Sequence, residues 1–489
     1  MNSTHPTGRL VGGGVILMAA KAVFVVSGYV LYSGLARLLS TADFGVYVVV
    51  NGSVAVLNAL FITGTIQTVS RFVSSRSSAE RDGVVSAMLR LQAALAAVVC
   101  GAFVAGAPVV ASWLGDPSLV VLLRVAAIIP AAYAFYAIYI GYLNGARRFV
   151  AQASFDMAFS VLKVSAVLGL VALGFGVLGA VSGFAAAALL ISIMAMSYVR
   201  PAVGAATVGV IVLLRYEGAV MAYQALMTLA MQLDVLMLKA LMPASVANAS
   251  VAQLGAAAKL AQIPQSLLVA LNFVVFPLIA KAQGDADRDA AGTYVRAAVR
   301  VCLVLVLGAA PVIAGVTDEV MALVYGRSYA PAGPLLAMLC WGYAALAILG
   351  ILMTILNGAG RPLTSLAVMA TTVAVQAALS LWLIPGWGAQ GASIATTAGM
   401  SVGMLVAVTM VWRAFGSVVD VRNVVRTAAA AAITVAVGRV LSIPGMWVAL
   451  EAAALGVLYL LLLGLFGELR RGALMPAGPS PKSTAAVVS

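Results

Sequence analysis

Leu143-Asn144-Gly145-Ala146-Arg147-Arg148 closes one long apolar run, and Leu356-Asn357-Gly358-Ala359-Gly360-Arg361 closes another, 213 residues later. Gly176-Val177-Leu178-Gly179-Ala180 returns as Gly388-Ala389-Gln390-Gly391-Ala392 at an offset of 212, and Arg81-Asp82 returns as Arg288-Asp289 at 207. Three matches in the same order at a nearly constant offset read as an internal repeat. Each copy contains six apolar runs long enough to cross a bilayer. An even number of crossings makes both copies enter the membrane with the same polarity, related by an axis along the membrane normal.

Composition agrees. The chain has 489 residues, 63% hydrophobic and 9% charged, against about 25% charged in soluble domains. A bilayer core takes roughly 20 apolar residues per helix, and about fourteen such spans fit between residues 11 and 466. The predicted fold is an all-α polytopic membrane protein: a first lobe of six helices over 1–200, a joining segment over 201–216, a second lobe over 217–415, a helix pair over 416–467, and a disordered cytoplasmic tail over 468–489. The joining segment is either a helix on the inner surface or a plain linker. The N-terminal apolar stretch runs from Leu10 past Tyr32 and contains Lys21, too long for the apolar region of a cleavable signal.

The net charge of +13 comes from 28 Lys and Arg against 15 Asp and Glu. In a soluble chain such an excess points to nucleic acid or acidic surfaces. Here, with the N-terminus inside, twenty of the 28 basic residues fall in inward segments, which is the positive-inside pattern. The charge therefore reports topology, with both termini in the cytoplasm, and no nucleic-acid partner is expected. Cys100, Cys302 and Cys340 lie in apolar runs, and the single histidine, His5, precedes the first span. No disulfide framework, metal site, cofactor or catalytic residue is expected, since phosphate loops, nucleophile elbows and zinc motifs are all missing.

Ionisable groups inside the membrane cost about 2.5 to 3.5 kcal/mol on insertion scales, so each needs a cavity or a partner. Lys21 lies about 15 Å into the first span; it faces a central cavity or forms a structural ion pair. Asp156 and Lys163 in the fifth span are seven residues apart and share a face, so they either point into a cavity or compensate one another. Asp234 in the seventh span is a candidate for ion coupling, with a structural salt bridge as the alternative. Lys239, near the outer end of that span, is expected to snorkel. Lys259 follows Gly255-Ala256-Ala257-Ala258 and precedes Pro264, small residues and a kink that favour a cavity-facing position.

The motif order resembles a known family. Leu35-Ala36-Arg37-Leu38-Leu39-Ser40-Thr41-Ala42-Asp43-Phe44-Gly45-Val46-Tyr47 is similar to the start of the polysaccharide-biosynthesis transporters, the lipid-linked oligosaccharide flippases of the multidrug/oligosaccharidyl-lipid/polysaccharide exporter superfamily. The resemblance continues in Leu233-Asp234, in Ala258-Lys259-Leu260-Ala261-Gln262-Ile263-Pro264 with Phe276-Pro277, in Val324-Tyr325-Gly326, and in both LNGA turns, and covers most of residues 10 to 412. It implies two six-helix lobes plus a terminal pair, alternating between inward-open and outward-open states to carry an undecaprenyl-diphosphate-linked glycan across the bacterial inner membrane. It also implies a cationic path for the diphosphate, for which Lys21, Arg37, Lys163 and Lys259 are the candidates, and a monomer working beside polysaccharide polymerase and export machinery. The sequence departs from the family pattern at Val235, where arginine is frequent, and at Leu254, where tyrosine is.

The expected function is thus an ion-gradient-driven flippase and not an enzyme. A multidrug exporter of the same superfamily is the first rival; it would favour cavity acids, whereas four lysines stand here against Asp156 and Asp234. A membrane glycan polymerase or ligase is the second, disfavoured by the short outer loops.

Overall fold

The computed structural model describes residues 6–200, 208–266, 268, 275, 288–416, 418–441 and 447–468. Every element among them is helical. The second half of the expected eighth span, with Pro277, and the Asp285–Asp287 loop lie outside the described residues, as does the C-terminal tail from 469.

The helices are α1 (Pro6–Leu38), α2 (Thr41–Phe61), α3 (Thr63–Ser74), α4 (Ser78–Trp113), α5 (Leu119–Ala126), α6 (Ile128–Gly145), α7 (Phe149–Leu170) and α8 (Gly176–Val199). There follow α9 (Val210–Leu241), α10 (Ala244–Ala261), α11 (Ile263–Ser266), α12 (Arg288–Gly315), α13 (Thr317–Tyr325), α14 (Gly333–Gly358), α15 (Pro362–Phe415), α16 (Val421–Leu441) and α17 (Val448–Leu465). Local chemistry sets several starts. Ser40 caps α2 by accepting from the Asp43 amide at 3.1 Å, and Ser77 with Glu80 forms a capping box at α4.

Among the described residues, eleven stretches are long and apolar enough to cross a membrane. Two of them, 51 residues over Phe149–Val199 and 54 over Pro362–Phe415, would each extend about 75 to 80 Å if straight, far more than one bilayer crossing. Both are folded back at glycines. Gly176 has φ 55 and ψ −142, and its repeat mate Gly388 has φ 52 and ψ −130, a region only glycine enters without strain. Close approach of the two arms follows: a Cβ at Gly391 would lie 2.5 Å from the Leu383 carbonyl oxygen.

The LNGA turns also share one geometry. After α6 the Arg148 amide donates to the Leu143 carbonyl at 2.8 Å and the Arg147 amide to Asn144 at 2.9 Å; after α14 the Arg361 amide donates to Leu356 at 2.9 Å and the Gly360 amide to Asn357 at 3.1 Å. Both are Schellman caps, with the left-handed position taken by Arg147 (φ 57) in one and Gly360 (φ 74) in the other. The sequence repeat is therefore a repeat of backbone conformation.

Contacts divide the chain into two units, Met1–Ala256 with Ser380–Ala392, and Ala257–Leu379 with Ser393–Ser489. In the first, α1 packs on α7, α7 on α8, α3 on α6 and α2 on α9. Small residues permit this, as lipid gives helices no hydrophobic drive to associate: a Cβ on Gly145 would meet the Ser70 carbonyl oxygen at 2.6 Å. Val69, Val73, Val84, Met88, Ile138 and Leu213 form a buried cluster between α3, α4, α6 and α9. In the second unit α12 packs on α14 and α16, and α16 on α17. Tyr459 seats there against Gly308 and donates to the Val304 carbonyl at 3.1 Å.

The division by contact differs from the lobe boundary expected at 201–216. Residues 210–216, placed in the joining segment, are the first turns of α9, and α9 lies in the first unit. Its polar residues explain the attachment. Glu217 bonds to Thr65 and Gln92, Gln224 donates to Thr63 at 3.2 Å, and Lys239 pairs with Asp116.

Candidate functional site

Three intramembrane charges of the first unit, Lys21, Asp156 and Lys163, lie where α1 packs on α7. The Lys21 Nζ donates to Asp156 Oδ2 at 2.9 Å, with the lysine side chain 48% exposed and the carboxylate 10%. Tyr136 of α6 donates to the other carboxylate oxygen at 3.5 Å. Of the two readings of Lys21, the ion pair is formed, and the lysine side chain stays half exposed. Asp156 is compensated by Lys21 of another helix rather than by Lys163 on its own. Lys163 is buried two turns further along α7, its Nζ 5.1, 5.7 and 5.3 Å from the ring centres of Phe24, Phe159 and Phe184. Three ring faces around an ammonium stabilise it by cation–π attraction where water is absent.

The other expected residues stand apart from that cluster. Arg37 is exposed in the last turn of α1, where a cation complements the helix dipole, and its 16 residues from Lys21 correspond to about 24 Å. Lys259 is half-buried in the last turn of α10 and belongs to the second unit, beyond the buried stretch Gly255–Ala258. Asp234 is fully buried; Oδ1 accepts from the Val235 amide at 2.8 Å and Oδ2 has no hydrogen-bond partner. Among the described residues it makes no salt bridge.

Lys239 does not snorkel as expected. It is 2% exposed, 2.9 Å from Asp116 Oδ2 and 2.6 Å from Asn248 Oδ1, because the turn from Leu114 to Ser118 brings an acid over the end of α9. Asp116 lies outside the spans. Burial raises its carboxyl, but bonds from Ser118 and Lys239 outweigh that and hold it below the usual aspartate range.

Charge alone was an incomplete guide. Thr65, Gln92 and Glu217 form a buried polar cluster between α3, α4 and α9. A glutamine in the middle of the apolar run of α4 was its visible signal. In the second unit a groove of about 510 Å³ runs between α12, α14 and α16, lined by Leu307, Trp341, Ala431, Val435 and, at one end, Arg439.

The family model for polysaccharide biosynthesis proteins matches residues 35–334, the stretch carrying Arg37, Asp156, Lys163, Asp234 and Lys259. The chain belongs to the polysaccharide biosynthesis protein family. No curated protein matches its sequence. Solved structures show which fold this family member has. The lipid II flippase MurJ in an inward closed conformation is 13% identical with a TM-score of 0.76, covering 92% of this chain and 98% of that one. An inward-facing MATE-family multidrug resistance transporter of the MOP superfamily is 16% identical at 0.62, covering 85% and 98%. A MOP superfamily transporter from Pyrococcus furiosus, described as having a binding pocket of reverse polarity, is 16% identical at 0.59, covering 83% and 95%. This polysaccharide biosynthesis protein is a multi-pass membrane protein whose fold is similar to that of the MurJ and MATE structures.

Proposed function

We propose that the protein is a flippase that carries a polyprenyl-diphosphate-linked oligosaccharide across the bacterial cytoplasmic membrane by alternating access, driven by an ion gradient. The observation that carries this reading is the half-exposed Lys21 held by Asp156 at 2.9 Å in a chain of the polysaccharide biosynthesis family. A diphosphate cannot cross hydrocarbon without cationic partners, and a lysine is a point-charge phosphate ligand. Asp156 keeps Lys21 neutralised until a diphosphate competes for it. Arg37, Lys163 and Lys259 are the further cations assigned to the path. The apolar groove ending at Arg439 suits a prenyl chain, with the arginine at the headgroup level. The termini are assigned to the cytoplasm and the working unit to a monomer beside polymerase and export machinery.

Deletion of the gene in a strain without a paralogue is expected to trap the lipid-linked sugar on the inner leaflet, with rescue by the wild type. Normal sugar export in the deletion strain removes the flippase reading. The MATE likeness supports a multidrug exporter as the second reading; a deletion strain that exports glycan normally but gains sensitivity to cationic drugs selects it.

A further inference from the structure

Glu217 enters none of the preceding roles, and among the described residues it is a buried carboxyl that meets no cation. It lies two turns into α9, fully buried, facing α3 and α4. The Thr65 hydroxyl is 2.5 Å from Oε1, and the Gln92 Nε2 donates to the same oxygen at 2.6 Å. Gln92 Nε2 is also 2.7 Å from the Thr65 hydroxyl, so three side chains from three helices close one small ring. Two polar atoms in it are left over: Glu217 Oε2 and Gln92 Oε1 are both buried without a partner. One turn along α3, the buried Thr68 hydroxyl has none either.

The surrounding ionisable groups do not neutralise this carboxyl. From α3, the Arg71 guanidinium is directed over the Tyr216 ring, 4.7 Å from its centre. From α4, Arg90 is exposed. From α9 itself, Arg215 is exposed, and the other ionisable side chains near it are the phenols Tyr216 and Tyr223. Beyond the outward-lying Asp43, α2 carries only Tyr47 as an ionisable residue. No salt bridge to Glu217 exists among the described residues. An ionised carboxylate desolvated in this way, with one oxygen bonded and the other bare, carries an uncompensated charge that burial strongly disfavours; a neutral carboxyl does not.

We propose that Glu217 is a proton-binding site, holding a proton on its carboxyl while α9 lies against α3 and α4 and releasing it to water when that seam opens. The step balances simply: the O–H bond of the acid breaks, the electron pair stays on the carboxylate, and the proton passes to water entering the seam. The ring with Thr65 and Gln92 fixes the carboxyl rotamer and makes seating of α9 depend on the proton. Coupling of this proton to glycan movement rests on the gradient-driven reading above; the site itself does not.

The test is infrared difference spectroscopy on the full chain in lipid nanodiscs, titrated over pH, comparing wild type with Glu217→Gln. The carbonyl band of a protonated carboxylic acid is expected in the wild type and lost in the variant. An identical band in both overturns the proposal. A band missing from the wild type, with heat of sodium binding that Glu217→Gln abolishes, overturns it in favour of a metal cation. Should Glu217→Gln fail to fold, Thr65→Val serves, because removing one bonding partner is expected to shift the band in frequency; an unmoved band overturns the assignment. Glycan translocation in vesicles is scored separately. Its failure with the band present removes the flippase reading and leaves the proton site, and translocation without the band does the reverse.

Discussion

Lys21 and Asp156 are opposed more in burial than in charge, and that asymmetry sets what each substitution does. Asp156→Asn leaves Lys21 unpaired and half-exposed, so binding of a diphosphate-bearing lipid is expected to tighten and become more salt-sensitive. Lys21→Ala removes a charge-assisted contact of about 1.5 to 3 kcal/mol, and is expected to weaken the same binding by roughly tenfold or more. Isothermal titration with a short-chain prenyl diphosphate measures both; equal weakening by the two variants would place the pair outside the path. The ionisable residues themselves were legible in the sequence, because a charge in an apolar run stands out. Their partners were not. Asp156 and Lys163 share a helix face, but the cation that reaches the carboxylate comes from α1, and the rings around Lys163 come from α1, α7 and α8. Only packing decides such pairs. Glu217 escaped notice for a related reason: the expected joining segment reaches residue 216, whereas α9 begins at Val210.

At the scale of elements the repeat supplies internal controls. Gly176 and Gly388 adopt nearly the same dihedrals, so alanine at either is expected to destabilise by a similar amount, about 1 to 3 kcal/mol, read as loss of thermal stability in detergent. The Schellman turns predict opposite signs. Gly360→Ala puts a side chain into the left-handed region at a cost of about 1 kcal/mol, while Arg147→Gly relieves the same cost in the first copy. Turns were well marked in the sequence because glycine at a fixed offset reports a backbone requirement. The attachment of α9 was not, since Thr63, Thr65, Gln92 and Asp116 come from distant segments. Its C-terminal end gives a pH test. Asp116 is held below the ordinary aspartate value, so its pairing with Lys239 stabilises the fold fully above about pH 4 and is lost as pH falls through the lower native value. Asp116→Asn is expected to lower stability at neutral pH and to flatten the acid limb of a thermal-melting series. An unchanged acid limb would mean that the clasp contributes nothing.

For the molecule as a whole, the charge of +13 becomes a statement about sides. If twenty basic residues face the cytoplasm, the short turns alternate in a fixed order, and the repeat demands that corresponding turns of the two copies lie on the same side. The three native cysteines are free and buried, which makes the chain silent toward a membrane-impermeant maleimide. Single cysteines can therefore report each turn. Ser75→Cys, between α3 and α4, and Val421→Cys, at the start of α16, are expected to react only in inside-out vesicles. Pro117→Cys, before α5, and Trp387→Cys, at the bend of α15, are expected to react only from the periplasmic face; all four positions are exposed. The pairing carries the argument. Ser75 with Pro117 tests the first copy, Trp387 with Val421 the second, and same-side labelling of Pro117 and Trp387 tests whether the copies enter with one polarity. Opposite labelling of those two would turn the parallel repeat into an inverted one. The common Gly176 and Gly388 bends would then face opposite sides of the membrane, which is incompatible with an even number of crossings between them.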